Sequence, residues 1–341
     1  MKILAALLKY DYGIEEQGFS YEYYNIYLPL CDIYGKENVF LFDYIAVFKQ
    51  SGKEGMNKKL KEIIKSEKPE VSLFCLFTDQ FEEDILTSLK EITKTVVYFF
   101  DDPWRKEFVR HWIKYFDYFS TPDFYMYQRY KLEGINNVIY SPFGFNKNVY
   151  KKLDLPVKYD VSFVGGYSPL RGWIMKNLKK EGVKVEVFGT GWGSGIKRIT
   201  QEEMVWVFNQ SKINLNLSNA IYKDINFLFW SLKSLENIRQ LAVLKKTKEQ
   251  VKGRHFEINA CGGFQLSYFI PGLNTIYEID REIAAYESID KIPELIEFFL
   301  EDQEMRESIA ENGYRRSIEE HTAQAYLQRL VEQVVNYSLK N

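Results

Sequence analysis

Short apolar runs alternate with helix-like segments in the first 140 residues, and the same alternation restarts near residue 158. Most of these runs have the length and the content of branched and aromatic residues that buried strands have. Two parallel strands need a long crossover, usually a helix, so this pattern is typical of doubly wound parallel sheets. A break rich in proline and glycine at 141–146 separates the two series. We therefore predict two Rossmann-like α/β domains facing a cleft and one further helix: residues 1–145, 146–321 and 322–341.

The formal net charge of -2 argues against a broad basic face, so we expect no nucleic-acid partner. The histidines show no metal-ligand spacing, and the chain has no Asp-x-Asp motif to hold a divalent ion, so we expect no metal. The apolar run at residues 1–8 is too short for a signal peptide or a membrane span. The cysteines are odd in number and far apart, as in a reduced, cytoplasmic protein: Cys31, Cys75 and Cys261.

The stretch 252–264 combines basic residues, an acidic residue and a double glycine, and its pattern predicts a loop, a short helix, a glycine stop and a strand. Lys252 and Arg254 lie at the predicted helix start, where the backbone N–H groups lack intrahelical partners and the helix dipole is positive. This arrangement predicts an anion site suited to a nucleotide diphosphate. Glu257, one turn further, is placed to accept hydrogen bonds from a polyol such as a ribose.

Two glycine-rich turns follow strands of the second domain. Gly165 and Gly166 precede a predicted helix that carries Arg171, so this turn suits either phosphate or sugar binding, or merely a tight turn with a surface arginine. The turn beginning at Gly189 resembles a dinucleotide fingerprint, but Ser194 stands where the third glycine is required. We therefore predict a glycine loop that contributes to the site, and we give little weight to an NAD enzyme.

Asp101 and Asp102 lie at the end of a predicted strand of the first domain, just before Pro103. A carboxylate at this position could deprotonate an acceptor hydroxyl, and Asp102 is our candidate base. The alternative is structural, because Asp-Pro is also a common helix start, with the aspartate as N-cap and the proline at the first helical position.

Residues 221–248 form an amphipathic segment with an aromatic tip and a basic end. Such a segment most often packs on its own domain. It could instead cover the active site, or make a peripheral contact with the inner face of a membrane that holds the acceptor.

The motif at 252–264 resembles the signature of the CgeB-like glycosyltransferases, a family named after a spore maturation protein, and residues 160–166 fit the same family. The resemblance implies a GT-B architecture, with a nucleotide-sugar donor on the second domain, the acceptor on the first, usually no metal, and a last helix crossing back to the first domain. Retaining GT-B enzymes carry two glutamates separated by seven residues, and Glu249 and Glu257 have this spacing. The resemblance would place Glu249, in what we predict to be a helix end, on the donor sugar, and Glu257 on the donor ribose.

These observations predict a metal-independent glycosyltransferase that moves a sugar from a nucleoside-diphosphate donor to a hydroxyl of a glycan, lipid-linked or protein acceptor. The glutamate pair favours retention of anomeric configuration. The alternative is a glycan- or nucleotide-binding protein that keeps the GT-B scaffold without turnover.

Overall fold

The computed structural model of the chain describes residues 1–193, 195–220 and 222–337. Ser194 of the broken fingerprint, Ile221 at the start of the amphipathic segment and the last residues of the predicted 322–341 helix lie outside them. The chain divides into two compact units, one formed by residues 1–146 together with the chain from Thr322 onward, and the other by Lys147–His321.

The first unit contains a six-stranded parallel sheet in the order β2-β1-β3-β4-β5-β6. Its strands are β1 Ile3–Leu7, β2 Val39–Asp43, β3 Val71–Cys75, β4 Lys94–Tyr98, β5 Tyr118–Thr121 and β6 Val138–Tyr140. Its helices before the second unit are α1 Leu28–Tyr34, α2 Tyr44–Glu67, α3 Glu83–Leu89, α4 Lys106–Trp112 and α5 Phe124–Leu132. Strands β1 and β3 are buried along their whole length, as the central strands of a doubly wound sheet must be.

The second unit contains a five-stranded parallel sheet in the order β11-β10-β9-β7-β8. Its strands are β7 Tyr159–Val164, β8 Glu186–Phe188, β9 Ser211–Asn216, β10 Gln265–Tyr268 and β11 Ala284–Tyr286. Its helices are α6 Pro169–Lys180, α7 Gln201–Asn209, α8 Ile225–Ser231, α9 Leu235–Val243, α10 Gly253–Ala260, α11 Ile292–Glu301 and α12 Gln303–Glu320.

The last helix, α13 Ala323–Tyr337, belongs to the first unit. Its apolar residues Leu327, Leu330 and Val334 are buried in one core cluster with residues of β1 and β3. The Ala323 N–H donates to the carbonyl of Phe145 at 2.7 Å, which joins the helix start to the end of the N-terminal segment. The helix therefore completes one face of the first sheet.

Two predictions of local structure are wrong. The charged amphipathic run at 58–66 predicts a helix over those residues alone. Helix α2 instead begins at Tyr44 and continues past Gly52 and Gly55. Gly52 has a φ of 69° inside this segment, so the chain bends there and then resumes the helix. The Asp101–Pro103 segment is a turn rather than a helix start, since α4 begins only at Lys106.

Candidate functional site

The second sheet has its topological switch point between β7 and β9, because the chain passes from β7 to β8 on one side and then to β9 on the other. Ligands of open α/β sheets bind at the carboxyl ends of the strands beside such a point. Gly165 follows β7 and Leu217 follows β9, so their turns flank this position. Helix α10 leads into β10 and runs against the strands, which brings its N-terminus to the same edge. Most of the predicted binding residues therefore meet at one edge of the second sheet.

Arg171, in the first turn of α6, joins the two strand ends. Its Nη1 donates to the Gly166 carbonyl at 2.8 Å, and its Nη2 donates to the Leu217 carbonyl at 3.0 Å. The guanidinium also lies over the Phe163 ring, 5.1 Å from its centroid. Burial lowers the pKa of Arg171 to about 10, far above neutrality, so it remains a cation. Arg171 thus fixes the switch point and still has N–H groups for a ligand, since a guanidinium carries five.

The turn that begins at Gly165 and the turn that begins at Gly189 contact each other. A Cβ on Gly189, whose φ is 143°, would lie 2.3 Å from the Gly165 carbonyl oxygen. That oxygen accepts a hydrogen bond from the Trp192 indole at 2.8 Å, and Tyr167 N–H donates to the Thr190 carbonyl at 2.8 Å. Gly189 is therefore required by the close approach of the two backbones. Gly165 and Gly166 stay at the switch point, where a ligand would meet them.

Glu249 is bound from two sides in the irregular segment between α9 and α10, so our prediction that it ends a helix is wrong. Its Oε1 accepts from the Ala220 N–H at 2.9 Å and from the Ser218 hydroxyl, and its Oε2 accepts from Lys246 Nζ at 2.7 Å. The Lys246 ammonium also donates to Asn219 Oδ1 at 2.7 Å. Glu249 and Lys246 together hold the loop after β9 against the strand ends.

Helix α10 begins at Gly253, with Lys252 as its N-cap residue. One turn in, Glu257 Oε2 accepts from Arg254 Nη1 at 2.7 Å, and its Oε1 accepts from the Tyr150 hydroxyl at 2.6 Å. Glu257 is 4% exposed, so this carboxylate is held in one orientation. Each of its oxygens has a second lone pair, which leaves acceptor capacity for a ligand hydroxyl.

Positive charge is concentrated at this edge. Burial, together with the charges of Lys252 and Arg171, lowers the pKa of Lys246 to about 8, although its contact with Glu249 acts in the opposite direction. The charge of Arg254 likewise acts to lower the pKa of Arg171, although burial is the main cause. These cations are close enough to disfavour one another, so a bound anion would relieve their repulsion.

His255, in the first turn of α10, is fully buried. Its Nδ1 lies 3.1 Å from both the backbone nitrogen and the carbonyl oxygen of Lys252, so it either accepts from the first or donates to the second. Burial lowers the pKa of His255 to about 3, which keeps the ring neutral. No hydrogen-bond partner for Nε2 occurs among the described residues, and the same holds for the buried Tyr286 hydroxyl at the end of β11.

Asp102 lies in the first unit and is 0% exposed. Its Oδ1 accepts from the Tyr130 hydroxyl at 2.7 Å. Burial raises the pKa of Asp102 to about 6. In this conformation the carboxyl group has no solvent access, which favours the structural alternative over a role as base. We therefore interpret Asp102 as a structural partner of Tyr130.

Three residues of the site escape prediction from sequence: Lys246, Tyr150 and His255. Lys246 precedes Glu249 by three positions in a run of several lysines, and nothing in the run distinguishes it. Tyr150 approaches Glu257 only through the tertiary fold. Within the parts of the chain that the structure describes, no group of three or more His, Cys, Asp or Glu side chains is placed to hold a metal ion.

The fold and the candidate site together define a class of protein. It has two α/β units, each with a parallel sheet, and the second sheet carries glycine turns, cations and a helix N-terminus at one edge. Residues 171–332 match the family model described as glycosyl transferase-like, and this chain is a glycosyltransferase. No curated protein matches the sequence.

Several solved structures with a similar fold are GT-B glycosyltransferases. Anabaena HepE, solved in complex with UDP-glucose, is 12% identical over 98% of this chain and 100% of that chain, with a TM-score of 0.63. AviGT4, a glycosyltransferase involved in avilamycin A biosynthesis, is 11% identical over 98% of this chain and 97% of that chain, with a TM-score of 0.60. A Rickettsia africae glycosyltransferase is 10% identical over 98% and 97%, with a TM-score of 0.59. At such identities the likeness concerns the fold, and the predicted pair of Rossmann-like domains is confirmed.

Proposed function

We propose that the carboxyl edge of the second sheet binds a nucleoside-diphosphate sugar, and that the enzyme transfers the sugar to a hydroxyl of a glycan, lipid-linked or protein acceptor. The observation that carries this proposal is the group of mutually repelling cations around the N-terminus of α10: Arg171, Lys246, Lys252 and Arg254. Glu249 pairs with Lys246 and Glu257 with Arg254, and a diphosphate would balance the positive charge that remains. HepE has been solved with UDP and with UDP-glucose, and these ligands agree with a donor of this class.

We assign the donor contacts as follows. Arg171, Lys252 and Arg254 neutralise the diphosphate, which approaches the backbone at Gly165 and Gly166, with Gly189 supporting that turn. Glu257, oriented by Tyr150, accepts from the ribose hydroxyls. Glu249, oriented by Lys246, accepts from a hydroxyl of the donor sugar. On the motif at 252–264 we also propose that the chain belongs with the CgeB-like glycosyltransferases.

The chemistry follows from this assignment. The bond between the anomeric carbon and the diphosphate oxygen breaks, and its electron pair leaves with the diphosphate, where the cations stabilise it. The acceptor oxygen bonds to the anomeric carbon on the same face that the diphosphate leaves, and its proton passes to the departing diphosphate. This route retains the anomeric configuration and requires no protein base, which is consistent with the buried state of Asp102.

Transfer is expected to survive removal of divalent ions, because the leaving group is neutralised by side chains and backbone. Activity measured after dialysis against EDTA should equal that of untreated enzyme. Complete loss that Mn²⁺ restores would contradict the metal-free assignment.

Arg254→Ala is expected to lower kcat/KM by roughly tenfold or more, about the effect of one charged contact. The same change removes the partner of the nearly buried Glu257, so donor affinity should fall as well. Arg281→Ala is a matched control, since Arg281 is 69% exposed and pairs at the surface with Glu278. If Arg254→Ala and Arg281→Ala have equal activity, our assignment of Arg254 to the donor site is wrong.

Free nucleotide release from a panel of nucleotide sugars, with and without sugar acceptors, tests the proposed function. We expect release from one or more nucleoside-diphosphate sugars and a covalently extended acceptor product. Binding without any release or product would contradict transfer.

We further propose that the enzyme works in the cytoplasm, peripherally at the inner face of a membrane, with contact through residues 221–248. Among the described residues, no helix is long and apolar enough to cross a membrane.

A further inference from the structure

Helix α8 contains five apolar or aromatic residues in seven, together with the polar Asn226 and Ser231. One side packs on α6: Phe227 is 1% exposed, and the Trp230 ring lies 5.6 Å from that of Trp173. The opposite side is open, with Leu228 47% and Phe229 63% exposed. One side of α8 therefore exposes large apolar side chains while the other is packed on its own unit.

Helix α9 follows after a three-residue link and shows the same division. Its Asn237 is buried and accepts from the Tyr167 hydroxyl at 2.6 Å, which fastens the helix to the turn before α6. Leu235 and Val243 are 75% and 74% exposed, and Leu232 in the link is 64% exposed. We name six exposed apolar residues of the two helices and their link the hairpin surface: Ile225, Leu228, Phe229, Leu232, Leu235 and Val243. These six large apolar side chains are all exposed within nineteen residues of the chain, and apolar residues exposed in such a group often mark a binding surface.

The exposed charges within the segment 222–249 indicate what covers the hairpin surface. Between residues 222 and 249 the exposed charged side chains are five basic ones and one acidic one, Glu236. The basic ones are Lys223, Lys233, Arg239, Lys245 and Lys248. The whole chain, in contrast, carries a net charge of -2. Lys176 lies on the packed side of α8, in a cavity that also contains Asp290, Glu294 and Glu297, so the basic excess belongs to the segment 222–249 itself. Apolar side chains surrounded by basic residues complement a bilayer with anionic headgroups, because the acyl region takes the first and the headgroups attract the second.

We propose that the hairpin surface docks the enzyme on an anionic lipid bilayer. This deepens the peripheral location proposed above by naming the face and the lipid chemistry, and it rests on neither the donor site nor turnover. The two anchors, Phe227 against α6 and Asn237 on Tyr167, tie the docking helices to the unit that carries the candidate donor site. Docking would therefore hold that unit at the surface where a lipid-linked acceptor is found.

Co-sedimentation with vesicles tests the proposal on the whole chain. Vesicles of phosphatidylcholine with about one third phosphatidylglycerol are compared with vesicles of phosphatidylcholine alone. We expect the wild type to bind the anionic vesicles, and the Phe229→Ser/Leu232→Ser variant to bind at least tenfold more weakly. Lys245→Gln/Lys248→Gln should weaken binding about tenfold at low salt, and this difference should shrink at high salt. Leu132→Ser, which removes an 88% exposed leucine of the first unit, is the matched control and should bind like the wild type.

Two outcomes would overturn the proposal. One is wild-type protein that does not bind anionic vesicles, or that binds neutral ones equally well. The other is a wild-type dimer in light scattering that Phe229→Ser/Leu232→Ser converts to a monomer, because the surface would then be covered by a second copy. Nucleotide release on a soluble acceptor is measured in parallel. If the wild type does not bind vesicles but still releases nucleotide, only the docking proposal is wrong. If the wild type releases no nucleotide, the result counts against the donor site.

Discussion

Glu249→Gln is expected to lower kcat for sugar transfer by at least about a hundredfold. The substitution removes the carboxylate that we place on the donor sugar. It also leaves Lys246, which is 5% exposed, without the counter-charge that its ammonium contacts at 2.7 Å. A buried ion pair that loses one partner costs about 3–5 kcal/mol, so the loop after β9 should shift as well. Nucleotide release under saturating donor measures the effect, with denaturant unfolding as a measure of folding.

The double variant Lys246→Met/Glu249→Gln separates the two roles of Glu249. Removing both charges takes away the unpaired cation, so stability should recover relative to the single variant. Turnover should stay low, because the acceptor for the sugar hydroxyl is still missing. If turnover recovers with stability, Glu249 serves only as the partner of Lys246, and our assignment of it to the donor sugar is wrong.

Arg171→Met is expected to lower the free energy of unfolding by about 3 kcal/mol and to abolish measurable donor binding. The carbonyls of Gly166 and Leu217 would lose their donor, and a buried acceptor left unsatisfied costs about 1–3 kcal/mol. The diphosphate would lose a cation at the switch point. Denaturant unfolding and titration calorimetry measure the two effects.

Arg171→Lys and Arg281→Met are the controls for this experiment. Lysine keeps the charge but lacks the planar fork that reaches both carbonyls, so intermediate stability and weakened binding are expected. Arg281→Met changes an exposed arginine of the same unit and should leave both quantities unchanged. Wild-type stability in Arg171→Met would show that the two hydrogen bonds do not hold the strand ends together.

The strands and the α10 motif could be predicted because their signals are local. Buried parallel strands are continuous apolar runs, and the glycine pair in 252–264 predicts where the short helix of that stretch ends. Helix α2 was harder, since Gly52 interrupts a helix that continues beyond it. Only tertiary packing decides that the helix resumes.

The positions of the candidate site could be predicted better than the states of its side chains. Glu257 and Arg254 lie where the motif places them, but their 2.7 Å contact depends on how the first turn of α10 packs. Burial of Asp102 is equally invisible in the sequence, because Tyr130, its partner, lies 28 residues further along the chain. The amphipathic segment combines features of two of its predicted alternatives. One side of α8 packs on its own unit, and the other side remains exposed.

Every assignment in the donor site depends on the binding of a nucleoside diphosphate at the carboxyl edge of the second sheet. A thermal-shift screen with UDP-, GDP- and TDP-sugars and with a CMP-sugar tests this binding, because a ligand that binds only the folded protein raises its melting temperature. We predict stabilisation by at least one diphosphate-linked sugar and none by the CMP-sugar, which has a single phosphate. Stabilisation by the CMP-sugar alone, or by none of the four, would contradict the proposed donor site.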